Sequence, residues 1–272
     1  MVKGRPMISE NDLKLDESLK RIKHVIIVMS GKGGVGKSTV SSNLAMSLAV
    51  KGYRTGILDV DIHGPNIPKM LGVEDAPVGV ADGKLLPVDA ANGLKVMSMA
   101  FLLPEKDAPV AWRGPVKMGA IRQFLEDVAW GELDHLVIDM PPGTGDEALS
   151  VVQLIPKADG MVVVTTPQDV ALLDSRKSIS FGAVAKIPII GIVENMSGFI
   201  CPHCGERSDI FKTGGGERTA TEMGIQFLGR VPIEPGVVLS GDSGVPVVIG
   251  APASESAKAF MSITDRIIRT VG

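Results

Sequence analysis

The chain has 272 residues, of which 44% are hydrophobic and only 4% aromatic, with a formal net charge of −3. That supplies core for one large α/β domain or two small ones, while the acidic balance and few aromatics argue against broad nucleic-acid binding or a base-stacking platform. No run reaches the roughly 20 apolar residues of a membrane span, and nothing apolar follows Met1–Pro6 in the manner of an export signal, so the expectation is a cytoplasmic protein with neither membrane nor nucleic acid as partner.

Residues 1–23 are polar and charged, with Leu13, Leu15, Leu19 and Ile22 as scattered apolar positions. They read as a polar N-terminal segment with a short helix lying on the domain, and 24–272 as one folded domain. The β-branched run His24–Val28 is a strand, and Val40–Ala49 a helix. Between them lies Gly31-Lys32-Gly33-Gly34-Val35-Gly36-Lys37-Ser38-Thr39. Strand, glycine loop and helix form the context that makes G-x-x-x-x-G-K-[ST] a phosphate site. Without Cβ atoms, Gly33, Gly34 and Gly36 can turn their N–H groups inward around a polyphosphate, aided by the positive end of the helix. Lys37 is the phosphate lysine, and the Ser38 hydroxyl suits Mg²⁺. Val35 and Thr39 complete the cradle, so ATP with Mg²⁺ is the expected ligand. Lys32, just after the first glycine, is not required by an ordinary P-loop. The stretch resembles the deviant Walker A of the ParA/MinD/nitrogenase iron-protein class. That resemblance implies that Lys32 crosses a dimer interface to the partner's nucleotide, adding positive charge where the transferring phosphoryl group becomes negative.

Gly52 reads as the helix C-terminal cap, and Thr55–Asp59 as the next strand. Asp59-Val60-Asp61 stands at that strand's end, where open parallel sheets place ligands. Asp61 is the candidate acid for orienting the attacking water and Asp59 for a secondary metal contact, with capping of the next turn as the alternative for either. His63–Pro68 reads as a loop. Asp82-Gly83 predicts a small hairpin, Leu94–Met99 a strand and Val116–Ala129 a helix, preceded by Arg113, which is read as facing solvent. Leu133–Asp139 is a buried strand ending in an acid, the Walker B form. Asp139 is expected to bind Mg²⁺ directly or through water, and the Gly143 N–H to report on the γ-phosphate. Strands at Met161–Thr165 and Ile189–Glu194 flank a helix over Asp169–Lys186. This alternation predicts a mostly parallel, doubly wound α/β sheet. The stripe Ala257, Phe260, Ile263, Ile267 and Val271 predicts a last helix packed on the core.

Cys201-Pro202-His203-Cys204-Gly205 aims two thiolates at one ion, on an insertion at about 196–213. A closed zinc site or a four-iron cluster needs four protein ligands, and the chain has no second pair. The arithmetic points to a homodimer that shares one metal centre on its axis. A bridging [4Fe–4S] cluster, half a Zn²⁺ site and a thiol–disulfide pair all remain open on the residues alone.

Several motifs occur here in order: the deviant Walker A, Asp59–Asn66, Asp139-Met140-Pro141-Pro142-Gly143-Thr144-Gly145-Asp146, Thr166-Pro167-Gln168, and Asn195-Met196-Ser197 before the cysteines. Together they make the chain resemble the Mrp/ApbC iron–sulfur carrier family over about residues 20–270. The resemblance implies a P-loop NTPase fold of the deviant Walker A class and a homodimeric, slow ATPase. It also implies a cluster bridged by Cys201 and Cys204 of two chains and passed to apo iron–sulfur proteins. It places Asn195 at the adenine edge, with Pro232 and Ile233 walling the base. A ParA/MinD-like positioning switch and a zinc-clamped dimeric ATPase are the rival readings.

Overall fold

The computed structural model describes residues 20–102, 114–155, 158–201 and 203–272. The short N-terminal helix expected before residue 20 and Arg113 lie outside them. In chain order the elements are β1 (Ile22–Ser30), α1 (Lys37–Val50), β2 (Thr55–Asp59), α2 (Ile67–Met70), β3 (Gly79–Ala81), β4 (Lys84–Leu86), β5 (Val88–Asp89), β6 (Lys95–Ser98), α3 (Gly114–Glu126), β7 (Leu133–Asp139), α4 (Asp146–Gln153), β8 (Gly160–Thr165), α5 (Asp169–Ala185), β9 (Ile189–Glu194), β10 (Phe199–Ile200), β11 (Arg207–Ser208), α6 (Gly215–Met223), β12 (Phe227–Arg230), α7 (Pro235–Ser243), α8 (Val247–Gly250) and α9 (Glu255–Val271).

Eight strands form one sheet in the order β12-β9-β8-β1-β7-β2-β6-β5. Every pairing is parallel except that of the edge strand β5 with β6. β1 sits inside the sheet, and its side chains alternate between faces with the period of two that a strand imposes. Ile26 and Val28 enter one core with α1 and α9, whereas Val25, Ile27 and Met29 enter the other with α3, α4 and Trp130. Burial on both faces explains why β1, β7 and β8 read as continuous apolar runs. In register, Asp139 lies opposite both Val28 and Asp59, and Glu194 opposite both Thr165 and Arg230. The acids therefore gather along the carboxyl edge of the sheet.

The expected strands and the hairpin are present. Asp82 and Gly83 have φ of 52° and 73°, the left-handed pair that a tight two-residue turn requires. Three boundaries differ from the sequence reading. Helix α3 stops at Glu126 rather than Ala129, because Leu85 donates to the Asp127 carbonyl and accepts from the Ala129 amide, drawing 127–129 into strand-like pairing. The loop at His63–Pro68 gives way to helix at Ile67, with Pro68 in its first turn, where a missing N–H does no harm. Lys51 caps α1, and Gly52 follows it at φ 88°. Of the stripe on α9, Ala257, Phe260, Ile263 and Ile267 are buried as expected and Val271 is half-buried, and Ser254 caps the helix by accepting from the Ala257 amide at 3.1 Å. No helix among the described residues is long and apolar enough to cross a membrane.

At the opposite end of the sheet from the acids, His24 and His135 are paired in register and stack at 5.2 Å, with Tyr53 edge-on to His135 at 4.9 Å. Asp159 holds His24 Nδ1 at 3.3 Å, but His135 Nδ1 is buried with no hydrogen-bond partner. Burial, reinforced by the neighbouring His24, lowers the His135 pKa to about 4. The native protein thus refuses a proton that the unfolded chain accepts below about pH 6.5, so this group makes stability rise with pH between those two values. Urea unfolding should show the protein less stable at pH 5 than at pH 7, with on the order of 2 kcal/mol of the loss traceable to this group. His135→Phe should flatten that dependence; an equal slope in the two proteins would contradict the assignment.

Candidate functional site

The phosphate loop runs from the end of β1 into α1. Gly34 and Gly36 have φ of 79° and 80°, which an L side chain rarely adopts, and a Cβ on Gly33 or Gly34 would meet nothing within 4 Å. The loop therefore borders open space at these two positions. Gly31 and Gly36 are small for a different reason. A Cβ on Gly31 would lie 2.3 Å from the Asp174 carbonyl oxygen, and one on Gly36 would lie 2.1 Å from Asn195 Nδ2. Ser30 Oγ donates to the Lys32 carbonyl at 2.9 Å, holding the start of the loop. Lys32 itself is half-buried.

Behind the loop, Asp139 is fully buried and collects its cations and hydroxyls. Lys37 Nζ and Ser38 Oγ each donate to its Oδ2 at 2.7 Å, and Ser41 donates to its Oδ1. Lys37 Nζ also lies 3.8 Å from Asp61 Oδ2. Asp61 Oδ1 accepts from the His63 and Gly64 amides at 3.2 and 3.3 Å, which leaves Oδ2 toward Lys37. Burial raises the Asp61 pKa, with Lys37 opposing that shift. Asp59 is buried more completely. Its oxygens accept from the Asp61 amide at 3.1 Å, from Ser98 at 2.9 Å and from the Ile67 amide at 3.4 Å. Burial and then the charge of Asp139 push its pKa well above the usual carboxylate range. Asp59 thus holds the 59–67 turn. Asp61 borders the cavity beside the loop, and Asp59 is not among that cavity's lining residues. The Gly143 amide donates to the Ser30 carbonyl at 2.8 Å, so in this structure it ties the Walker B loop to the end of β1.

Two cavities of about 390 Å³ each adjoin along Thr39, Asn66 and Met70. One is bordered by the charged and hydroxyl side chains of Lys37, Ser38 and Asp61 together with Gly33 and Gly34. The other is mostly apolar, with Asn195, Met196, Phe211, Ile233, Val237 and Val238 among its lining, and Pro232 beside Ile233. A polyphosphate cradle opening into an apolar chamber has the shape and polarity for a nucleotide. Asn195 contributes at the junction: its Nδ2 donates to the Val35 carbonyl at 2.9 Å. That engages the amide nitrogen with the loop, so the amide group does not face the apolar chamber alone.

The chain leaves the sheet at Glu194 and re-enters helix at Gly215. Sequence reasoning overlooked what holds this excursion, which is Glu194 itself. Its fully buried carboxylate accepts from the Ser197 hydroxyl at one end and from the Gly214 and Gly216 amides at the other. Arg230 Nε stands 3.5 Å from Oε1 and supplies the countercharge. An acid closing the apolar run Ile189–Val193 was the available signal. Within the excursion, β10 pairs with β11, the Cys201 amide donates to Glu206 at 2.9 Å, and Gly205, at φ 72°, donates back to the Cys201 carbonyl at 2.8 Å. Amide donation from Cys204 and His203 lowers the Cys201 pKa. Cys201 is half-buried and Cys204 exposed. Among the described residues no group of three or more metal-ligating side chains comes together. This turn therefore offers half of a four-sulfur set.

A family model described as the NUBPL iron-transfer P-loop NTPase, of the ParA type, matches residues 21–268. An iron-sulfur cluster carrier protein of Methanocaldococcus jannaschii is 51% identical over 268 residues, covering 98% of this chain and 91% of the relative. A cytosolic Fe-S cluster assembly factor NUBP2 homolog of Dictyostelium discoideum is 49% identical over 251 residues, covering 91% and 95%. Among solved structures, a nucleotide-binding protein of Archaeoglobus fulgidus in complex with ADP superposes with a TM-score of 0.77 at 43% identity, covering 87% of this chain and 92% of that one. The septum site-determining protein MinD of Pyrococcus horikoshii shares the fold at a TM-score of 0.69 and 22% identity, with 92% and 97% covered.

Glu194→Gln replaces an acceptor-only group by one with an NH₂ that faces N–H donors. It should lower stability by about 2–4 kcal/mol, seen as a fall in melting temperature of roughly 5–10 °C. A variant that melts with the wild type would show that the carboxylate does not hold the excursion.

Proposed function

The chain belongs to the NUBPL iron-transfer P-loop NTPase family, and from that premise we propose that it is an ATP-hydrolysing carrier that binds an iron–sulfur cluster and passes it to apo iron–sulfur proteins. The observation that carries the reading is the joining of two half-sites on one short stretch of chain. Asn195 braces the phosphate loop, and six residues later Cys201 begins a turn with two thiols and no third ligand among the described residues. A four-sulfur centre then requires a second copy, so the cluster would be bridged between two chains in a homodimer. Two free cysteines suit a reduced, cytoplasmic setting.

In this reading the amides of Gly31–Thr39 and the Lys37 ammonium bind the phosphates of ATP. The residues fit a Mg²⁺ ion: the Ser38 hydroxyl is positioned by Asp139 Oδ2, the arrangement by which a P-loop serine and a Walker B acid hold the metal. Bound there, the ion would neutralise the phosphate charge. Lys37 must shift its donor from Asp139 toward the phosphates as they arrive, which the long, flexible lysine stem permits. Asp61 keeps Oδ2 free of hydrogen bonds to its own loop and borders the phosphate cavity, so it orients the attacking water. Asp59 acts by holding Asp61 in place; as a metal contact it would first have to release Ser98. Lys32 reaches the nucleotide of the partner subunit. The Gly143 amide reads the γ-phosphate only by exchanging its Ser30 partner for a phosphate oxygen, a two-state bond of the kind a hydrolysis switch needs.

The same two thiols suit Zn²⁺, which would clamp the dimer rather than travel. The positioning-switch reading loses its membrane element, because the apolar stripe of α9 is spent on α1 and β12. Anaerobic reconstitution with iron and sulfide should load about four of each per two chains, and native mass should be that of a dimer. Cys201→Ala should lose both; unchanged iron content in the variant would remove the carrier reading, and zinc in protein purified without oxygen would replace it. Lys37→Ala should abolish ATP turnover, and full retained activity would refute the nucleotide half.

A further inference from the structure

The cysteine excursion forms part of the wall of the apolar chamber. Met196, at φ 55°, begins the excursion and Phe211 lies near its end, and both line the chamber. A third lining residue, Ile233, is hydrogen-bonded to the same excursion. Its amide donates to the Gly198 carbonyl at 2.7 Å, and it pairs as a bridge with Phe199 on β10. Cys201 follows directly on the end of β10 at Ile200. Three walls of one chamber are thus continuous, by covalent chain or backbone hydrogen bonds, with the turn that presents the thiols.

Phe211 is the one aromatic among the lining residues, and it belongs to neither of the two packed cores formed by the described residues. Core packing therefore does not account for the ring. A half-buried aromatic beside an apolar chamber next to a phosphate cradle is suited to the flat face of a base. The phosphate cavity, by contrast, is bordered by no described residue between Ser197 and Gly214.

We propose that Phe211 is a nucleobase-contact residue, and that occupation of the chamber by the base, rather than of the cradle by phosphates, fixes the conformation of the Cys201–Cys204 turn. The proposal rests on the nucleotide reading of the site but not on cluster binding. Its test uses the full chain freed of metal. The readouts are affinity and the rate at which iodoacetamide alkylates Cys201 and Cys204, followed by mass spectrometry with no addition, with MgADP and with magnesium tripolyphosphate.

In the wild type, saturating MgADP should slow alkylation several-fold, and tripolyphosphate, which has no base, should leave it unchanged. Phe211→Ala should bind ADP about tenfold more weakly and bind tripolyphosphate as the wild type does. At saturating ADP its thiols should react at the unliganded rate. Phe211→Tyr, which keeps the ring, should restore both properties. Equal protection by ADP and tripolyphosphate would overturn the proposal, as would undiminished ADP protection in Phe211→Ala. A wild type that binds no ADP would sink the nucleotide reading and this proposal together, whereas ADP binding without altered alkylation would sink this proposal alone.

Discussion

Everything chemical in this protein hangs on the contact between Asn195 and the phosphate loop. Gly36 adopts a left-handed conformation with the Asn195 carboxamide where its Cβ would be, and that carboxamide donates to the adjoining Val35 carbonyl. The loop is therefore shaped partly by its own glycines and partly by the end of β9. The same strand end supplies Glu194, whose carboxylate gathers both ends of the cysteine excursion. Two consecutive residues thus brace the phosphate site and the thiol turn, one on each side of the polypeptide. A parallel sheet makes this possible, because it delivers the ends of β1, β7, β8 and β9 to one edge.

The electrostatics of that edge follow from burial. Asp59, Asp61 and Asp139 crowd around a single Lys37, and not all three can be charged at equal cost away from water. Asp139 takes the short contacts to Lys37 and Ser38. Asp59 is driven toward its protonated form and serves as a turn-holding group, leaving Asp61 beside the cavity. The three acids have separate tasks because their surroundings differ. A divalent cation held in the same pocket would shift this balance toward the ionised forms.

Much of this was legible in the residues. The glycine loop, the acid at the end of β7 and the C-x-x-C turn each have a local pattern dictated by local chemistry, and in the structure the loop joins β1 to α1, Asp139 closes β7 and the cysteines flank a turn after β10. The segments after Gly215 were less legible. β12 is four residues long and contains Gly229, and α7 carries two glycines and two serines around the consecutive apolar residues Val237–Leu239, so neither has a period to detect. Glu194 and Phe211 were missed because their roles are tertiary. An acid at the end of a strand is also a common turn residue, and a phenylalanine in a loop acquires meaning only when the chain folds it into one cavity wall with Ile233 and Met196. The premature end of α3 has the same origin, since a hairpin about forty residues earlier in sequence captures its last turn.

The central claim is that the nucleotide site, through its base chamber, and the thiol turn form one mechanical unit. Amide hydrogen exchange of the metal-free protein, with and without MgADP, measures it most directly. The account predicts that slowing of exchange in residues 31–39 is accompanied by slowing in residues 197–216. Protection confined to the phosphate loop, with the cysteine excursion exchanging at its unliganded rate, would contradict it.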